Sequence, residues 1–287
     1  MKLLNRKNKD LILYSIRVVM GRKSFELLRA YLNLGYWPNI KNPKTFNEKM
    51  IYIKLYKDLD FIVDLVDKYN VRSFVKSKVG AGVLNKLYYV GTDFSEVDWG
   101  NLPEKFVVKA TQSGGENGNI LVRDKSKEKF EDIIKKSNTN LKSKFGFLTS
   151  EYFHLKIKPR LIVEEFLENP EGNVPTDYKF FCFHGKCSFI QVNSGRYTQH
   201  YRSFFDTDWK AMDFDMGSIP SCEEEKPKNL DAMLEVAEKL SKDFDFVRID
   251  LYDMIDSIRF GEMTFIPNAG YEPFNPQEKD EYYGSLI

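Results

Sequence analysis

This 287-residue chain is poor in the residues of thiol and imidazole chemistry, with three cysteines and three histidines. Cys182, Cys187 and Cys222 are too few for a disulfide framework, which points to a reducing, cytoplasmic setting. Cys182 and Cys187 flank a His184-Gly185 turn. Without a second cysteine pair they do not make a zinc site and read as hairpin or core residues. Net charge is also nearly absent: 43 basic against 42 acidic side chains leave +1 and a pI of 7.6. That excludes a generally basic surface, so no nucleic-acid partner is expected. No apolar run reaches the ~18–20 residues of a membrane span. The run Leu11–Ile16 stops at Arg17 with no small-residue cleavage site after it, so a signal peptide is not expected. Internal repeats and low-complexity tracts are missing.

What is present describes a packed globular protein. Hydrophobic residues make up 42% of the chain, with 23 Phe and 16 Tyr. The length suits two lobes better than one. Charge is uneven: residues 1–29 carry eight Lys/Arg against Asp10 and Glu26, an excess of six. Apolar residues at Ile12, Ile16, Val19, Leu27, Leu28 and Tyr31 suit a helix packed on the protein, and the basic flank also permits contact with anionic lipid.

The pattern predicts a helix over 8–33, a Pro-marked break near Trp37-Pro38 and Asn42-Pro43, and a helix from Asn47. Thr45 and Glu48 have the form of a capping box ahead of that helix. A further helix spans 60–76. Strands are predicted near 85–90, 106–110, 119–123 and 160–167, with a polar helix over 125–141. A hairpin follows at 178–183 and 187–193, then an amphipathic helix over 229–242 and a closing hairpin, 246–252 with 258–266. The fold class is α+β, divided as a helical region 1–65, a first lobe 66–167 and a second lobe 168–287.

Two stretches carry chemistry. Lys109 lies within the apolar strand Phe106-Val107-Val108-Lys109-Ala110, and a glycine-rich loop through Ser113, Gly114, Gly115 and Gly118 follows at once. A cation between Val108 and Ala110 is costly to bury without an anion, and glycines let backbone N–H groups close around one. The loop is neither a Walker A sequence nor a Gly-x-Gly-x-x-Gly fingerprint. In the closing hairpin, Arg248, Asp250 and Tyr252 share one strand face. A loop of odd length brings Glu262 and Thr264 onto that face too, roughly 5–8 Å away. Hard cations such as Mg²⁺ take such carboxylates together with substrate phosphates. The plainer alternative is a surface ion network of Arg248, Asp250 and Glu262.

Between these lie Glu164-Glu165, able to offer a carboxylate to a ribose or an exocyclic amine, and Asp177-Tyr178-Lys179, a second lysine between aromatic neighbours. Together these features suit a nucleoside triphosphate with Mg²⁺.

The order Lys–glycine loop–Glu-Glu–Lys–Arg-x-Asp–Glu resembles the ATP-grasp fold, and more narrowly its TupA-like branch, named for teichuronopeptide biosynthesis. Matching stretches begin at Asn42-Pro43-Lys44-Thr45-Phe46-Asn47-Glu48-Lys49 and Asp67-Lys68-Tyr69-x-Val71-Arg72. They continue through Phe106–Lys109, Val163–Phe166, Asp177–Phe180, Val247–Tyr252 and Phe260–Phe265, covering about residues 42–270. The resemblance implies a two-lobed ATP-grasp fold with a helical N-terminal extension, binding ATP and Mg²⁺. By position it puts Lys68, Lys109, Lys179, Asp177 and Ser113–Gly118 around the nucleotide phosphates, and Glu164 and Glu165 at adenine and ribose. Asp250 and Glu262 then hold the metal, and Arg248, with Lys179, acts on the reacting phosphoryl or tetrahedral centre. Where many ATP-grasp members have Asn two residues after the metal Glu, this chain has Thr264, with Asn268 as a substitute ligand.

The implied reaction joins a carboxylate to an amine through an acyl phosphate. The implied setting is surface polysaccharide biosynthesis, capsular, exo- or teichuronic-type. The carboxylate is then a uronic acid glycan or its lipid-linked precursor, and the place of work the cytoplasm or the inner membrane face. Two alternatives stand beside it. One is a sugar-nucleotide-dependent glycosyltransferase using one of the Asp-x-Asp tripeptides at 206–208, 213–215 or 243–245, although the first hundred residues lack its βαβ pattern. The other is a non-catalytic scaffold, disfavoured by intact Lys109, Asp250 and Glu262.

Overall fold

The computed structural model of the chain describes residues 6–114, 118–195, 199–254 and 256–287. Helices α1 (Arg6–Met20), α2 (Arg22–Leu34) and α3 (Phe46–Tyr56) come first. The predicted 8–33 helix is thus two helices, broken at Gly21, whose φ of 76° favours glycine. The capping box of α3 is formed: Thr45 Oγ1 accepts from the Glu48 N–H, and the Glu48 carboxylate accepts from the N–H groups of Thr45, Lys44 and Asn39. Such a cap contributes about 1 kcal/mol.

The packed face expected of the first helix is not there. Ile12, Ile16 and Val19 are exposed, Val19 at 87%, as are Leu11 and Val18. Contact with the body runs instead through buried Arg17, which bonds Ser150 and Tyr152 and lies over the Phe147 ring. An apolar stripe reports that a face avoids water, not that a partner surface covers it.

The 60–76 segment is not one helix either. A short α4 (Val63–Val66) ends at Asp67, whose carboxylate accepts the N–H groups of Tyr69 and Asn70 and pairs with Arg160 at 2.8 Å. The chain then resumes as α5 (Val71–Val79). The break leaves Lys68 outside both helices.

Strands β1 (Leu87–Gly91), β2 (Phe106–Ala110), β3 (Asn119–Val122) and β4 (Leu161–Glu165) form an antiparallel sheet in the order β1-β4-β2-β3, with α6 (Phe130–Leu141) packed on one face. Phe106, Val108, Leu161 and Val163 fill the core on that side. Their alternates Val107, Lys109, Ile162 and Glu164 point the other way, as the register of β2 with β4 requires.

After α7 (Phe153–Lys156), a second antiparallel sheet runs β10-β9-β5-β6-β7, built from β5 (Asp177–Phe183), β6 (Lys186–Ser194), β7 (Tyr201–Phe205), β9 (Phe246–Asp253) and β10 (Ile258–Thr264). The two-residue β8 (Asp215–Met216) pairs with β11 (Phe274–Asn275). One face of the large sheet, with Phe180, Val247, Ile249 and Leu251, packs on α8 (Leu230–Ser241). On the other, β5 is polar at Asp177 and Lys179 but aromatic at Phe181 and Phe183, which lie under Phe46 of α3 and Tyr283 of α9 (Glu278–Ser285). Each fully buried Phe contributes about 2 kcal/mol or more. The sequence pattern shows neither β7 nor α9. A five-residue strand and a helix of mostly polar residues leave little periodicity to read.

Candidate active site

The polar faces of the two sheets look at each other across a cleft. From the first sheet comes Lys109, whose Nζ bonds Glu164 Oε2 at 2.8 Å; Arg72 grips Glu164 Oε1 at 2.9 Å and the Asn85 carbonyl at 2.7 Å. Glu164 is therefore an ion-paired holder of Lys109 and Arg72. Glu165, next along β4, accepts from the Lys86 N–H; both glutamates border the same cavity.

The turn after β2 is tightened by Ser113, whose N–H and hydroxyl both donate to the Ala110 carbonyl. Gln112 ties the loop to the end of α6 by donating to the carbonyls of Asn140 and Leu141. Glycine is needed at both described ends of the loop. A Cβ on Gly114 would sit 2.2 Å from the Phe145 ring, and one on Gly118 would sit 2.2 Å from Ser113 Oγ. Gly115 lies outside the described residues. Lys68, freed by the Asp67 turn, donates to the Ser113 carbonyl. Among the described residues it has no carboxylate partner within ion-pair distance. Burial lowers its pKa, with the Glu262 charge opposing and the Lys109 charge adding to the effect.

The second sheet presents Lys179, directly across from Asp250 in the β5–β9 register and bonded to both Asp250 and Asp177. Arg248 holds Asp250 bidentately at 2.7 and 2.8 Å and reaches Glu262 and Thr264 at 3.0 Å each. Glu262 stands opposite Asp250 and Thr264 opposite Arg248, with an irregularity at Gly261 that restores the register. Arg248, Asp250, Glu262 and Thr264 thus share one face, and Asp250 is 2% exposed. The Arg248–Asp250–Glu262 ion network expected as the plainer alternative is formed, with Arg248 and Asp250 buried and Glu262 half exposed. Burial raises the Glu262 carboxyl pKa, but Arg248, Lys179 and Lys68 outweigh it and bring the value to about 2.

This donor set fits a nucleotide. Three lysines, Lys68, Lys109 and Lys179, border one cavity with Asp250 and Glu262, and Arg248 bonds both of those carboxylates. A half-buried ammonium whose bond is to a carbonyl is what a phosphate oxygen would satisfy. A cavity of about 160 Å³ runs from these groups past the apolar side chains of Leu84, Val107, Leu121, Phe166 and Phe260, a wall suited to a flat base. No cluster of three or more His, Cys, Asp or Glu occurs among the described residues. The metal candidates are therefore two carboxylates and the Thr264 hydroxyl, a set that Mg²⁺ accepts when phosphates complete its shell. Asn268 stands apart from that row, donating to Glu272, although it borders the same larger cavity as Glu262 and Thr264.

That cavity, about 910 Å³, opens beyond Arg248. Its wall includes polar residues that sequence reading did not single out: Gln191 and Asn193 on β6, Arg202 on β7, and Glu272. Gln191 and Asn193 were legible in principle, since they alternate with Ile190 and Val192 along a predicted strand. Arg202 lies on the strand that had no recognisable pattern. His154 borders it as well, its pKa pushed down to about 3 by burial and then by the Lys68 charge, so it is neutral near pH 7.

Residues 48–287 match the family described as TupA-like ATPgrasp. No curated protein sequence matches this chain. Among solved structures, the D-alanine–D-alanine ligase from Helicobacter pylori is similar over 84% of this chain and 65% of its own, at 15% identity and a TM-score of 0.47. The L-amino acid ligase from Bacillus licheniformis is similar over 78% and 49%, at 13% identity and a TM-score of 0.46. An ADP complex of N5-carboxyaminoimidazole ribonucleotide synthetase is similar over 71% and 46%, at 10% identity and a TM-score of 0.46. The chain thus spans between about half and two thirds of the length of these proteins.

Proposed function

The chain belongs to the TupA-like ATP-grasp family, and from that premise we propose that it is an ATP- and Mg²⁺-dependent ligase that joins a carboxylate to an amine. The observation that carries this reading is that Lys68 and Lys109 from one side of the cleft border a single cavity with Lys179, Asp250 and Glu262 from the other, while Arg248 bonds both of those carboxylates. ATP supplies a γ-phosphoryl group to the substrate carboxylate, leaving ADP and an acyl phosphate from which the amine then displaces phosphate. Lys109 and Lys68 hold phosphate oxygens under the glycine loop. Glu262, Asp250 and the Thr264 hydroxyl would hold Mg²⁺, which would neutralise charge on the phosphates, and Lys179 would bind a phosphate oxygen beside them. Arg248, anchored by Asp250, faces the reacting carboxylate and stabilises the charge that develops there. Positioning and charge neutralisation then account for catalysis, with no covalent protein nucleophile.

We place the acceptor in surface polysaccharide biosynthesis, on the family resemblance alone. The cytoplasmic site of work and the approach to the inner membrane face belong to the same reading. Among the described residues no helix is long and apolar enough to cross a membrane.

The glycosyltransferase alternative has less support. None of the aspartates at 206, 208, 213, 215, 243 and 245 borders either cavity of the cleft. Asp206 instead closes a turn, accepting the N–H groups of Asp208 and Lys210. Thermal stabilisation separates the two. ATP–Mg²⁺ at 100 times its Kd adds about 2.7 kcal/mol, and UDP- or GDP-sugars add nothing. The opposite pattern would hand the protein to the glycosyltransferases.

A further inference from the structure

The 910 Å³ cavity is far larger than a transferred phosphoryl group needs, and it is not neutral. Five lysine and arginine side chains border it against the carboxylates of Glu151, Glu262 and Glu272. Burial pushes the Glu151 carboxyl up to about 7, so near neutrality it carries only part of a negative charge. One end of the cavity is the Arg248–Glu262 row already assigned to the reacting carboxylate. The other end is built around Arg202 on β7, three strand spacings (about 14 Å) across from β9 and level with Tyr252, four residues along that strand from Arg248.

Arg202 is 7% exposed and held in place: Nε donates to Asn193 Oδ1 at 3.3 Å, and Nη1 donates to the Met216 carbonyl at 2.7 Å and to Glu272. Its Nη2 has no protein partner among the described residues. Beside it Gln191, 1% exposed, donates to Asn193 at 3.2 Å while its own Oε1 is buried without a hydrogen-bond partner. A buried amide oxygen left unpaired costs about 1–3 kcal/mol unless a ligand satisfies it. Arg202, Asn193 and Gln191 share one sheet face with Lys179 and Asp177, as the register Lys179↔Gln191 and Asp177↔Asn193 shows.

We propose that this row is a second anchor for the acid substrate: Arg202, held by Asn193 and Glu272, grips an anionic group remote from the carboxylate that reacts at Arg248. The substrate class is then a molecule with at least two anionic groups at opposite ends. The inference rests on the ligase reading for which end reacts. Gln191 Oε1 accepts a hydroxyl or amide proton from the body of the substrate between the two anions.

The test uses the full chain with its nucleotide cleft filled by Mg²⁺ and a non-hydrolysable ATP analogue. Linear dicarboxylates from glutarate to sebacate are titrated by calorimetry beside monocarboxylates of equal length. At least one dicarboxylate is expected to bind about ten-fold more tightly than its monocarboxylate, the worth of one charge-assisted hydrogen bond. R202Q should erase that difference, and R202K, which keeps the charge but loses the planar fork, should reduce it. A wild-type protein that treats the two series alike overturns the proposal without recourse to any variant. So does a folded R202Q protein with the preference intact. The analogue serves as the control. If it binds and the dicarboxylate preference is missing, this inference falls and the ligase reading stands. If it fails to bind, the ligase reading falls and takes the inference with it.

Discussion

Lys179 and Asp250 face each other in register across β5 and β9, and the ammonium is bonded to the carboxylate. A residue proposed for phosphate and a residue proposed for metal thus form an ion pair with each other. Both side chains are almost wholly buried, 6% and 3% exposed, whereas Glu262 in the same row is 44% exposed. That contrast sets different expectations for the two ends of the row.

Lys179→Met should destabilise the empty protein by about 3 kcal/mol, the scale of removing one partner from a buried ion pair, because Asp177 and Asp250 are left crowded together. Urea denaturation measures it. A loss below about 1 kcal/mol would mean the pair is solvated and carries little.

Glu262→Gln should cost about 1 kcal/mol of stability, the scale of a half-exposed ion pair with Arg248, and remove metal-dependent turnover, since it keeps the side chain's shape and deletes a ligand charge. The check is ADP release at several Mg²⁺ concentrations. Undiminished release from a folded variant would make the carboxylate structural.

Lys68→Met should weaken ATP binding by at least about ten-fold, the worth of one charge-assisted phosphate contact. Without nucleotide the variant should be as stable as the wild type or more so, because the ammonium it removes is half-buried against a carbonyl and its charge is disfavoured there. Calorimetric titration with ATP–Mg²⁺ and a melting curve together decide it. Unchanged affinity would place Lys68 outside the phosphate site.

Stability should carry a mark of Glu151, whose carboxyl is raised from 4.5 to about 7 by burial, opposed by Lys54. Between those values the folded state binds the proton more tightly than the unfolded chain. The contribution is therefore present below pH 4.5 and lost as pH rises through about 7. Denaturation midpoints for the wild type and Glu151→Gln, taken from pH 5 to 8, should show a steeper fall in the wild type. Parallel curves would refute the shift.

The exposed stripe of α1, with Leu11, Val18 and Val19 uncovered, revives the membrane question that the basic 1–29 segment raises. Lys2 lies outside the described residues. Binding to anionic liposomes is expected at low salt and should be lost at high salt, because each Lys or Arg near such a surface contributes about 1 kcal/mol. Sedimentation tests it. Binding unaltered by salt, or by Gln at Lys2, Arg6, Lys7 and Lys9, would exclude an electrostatic anchor.

Local periodicity and spacing are legible without the fold. Two-residue alternation put Arg248, Asp250 and Tyr252 on one face, and the Thr45–Glu48 spacing announced the cap of α3. A lysine on an apolar strand before glycines marked the loop end of the cleft. These signals are short-range, so neighbouring residues suffice to read them. Other features were decided only by contacts between distant residues. Arg72 meets Glu164 ninety-two residues away, making that glutamate a holder of cations. Arg160 pairs with Asp67 from ninety-three residues away, across the break that turns Lys68 into the cleft. Seventy residues separate Arg202 from Glu272, and the strand that carries Arg202 has too few residues to show a period. Whether the apolar stripe of α1 met a partner surface was likewise a question of tertiary packing, since a helix's own pattern is the same with or without one.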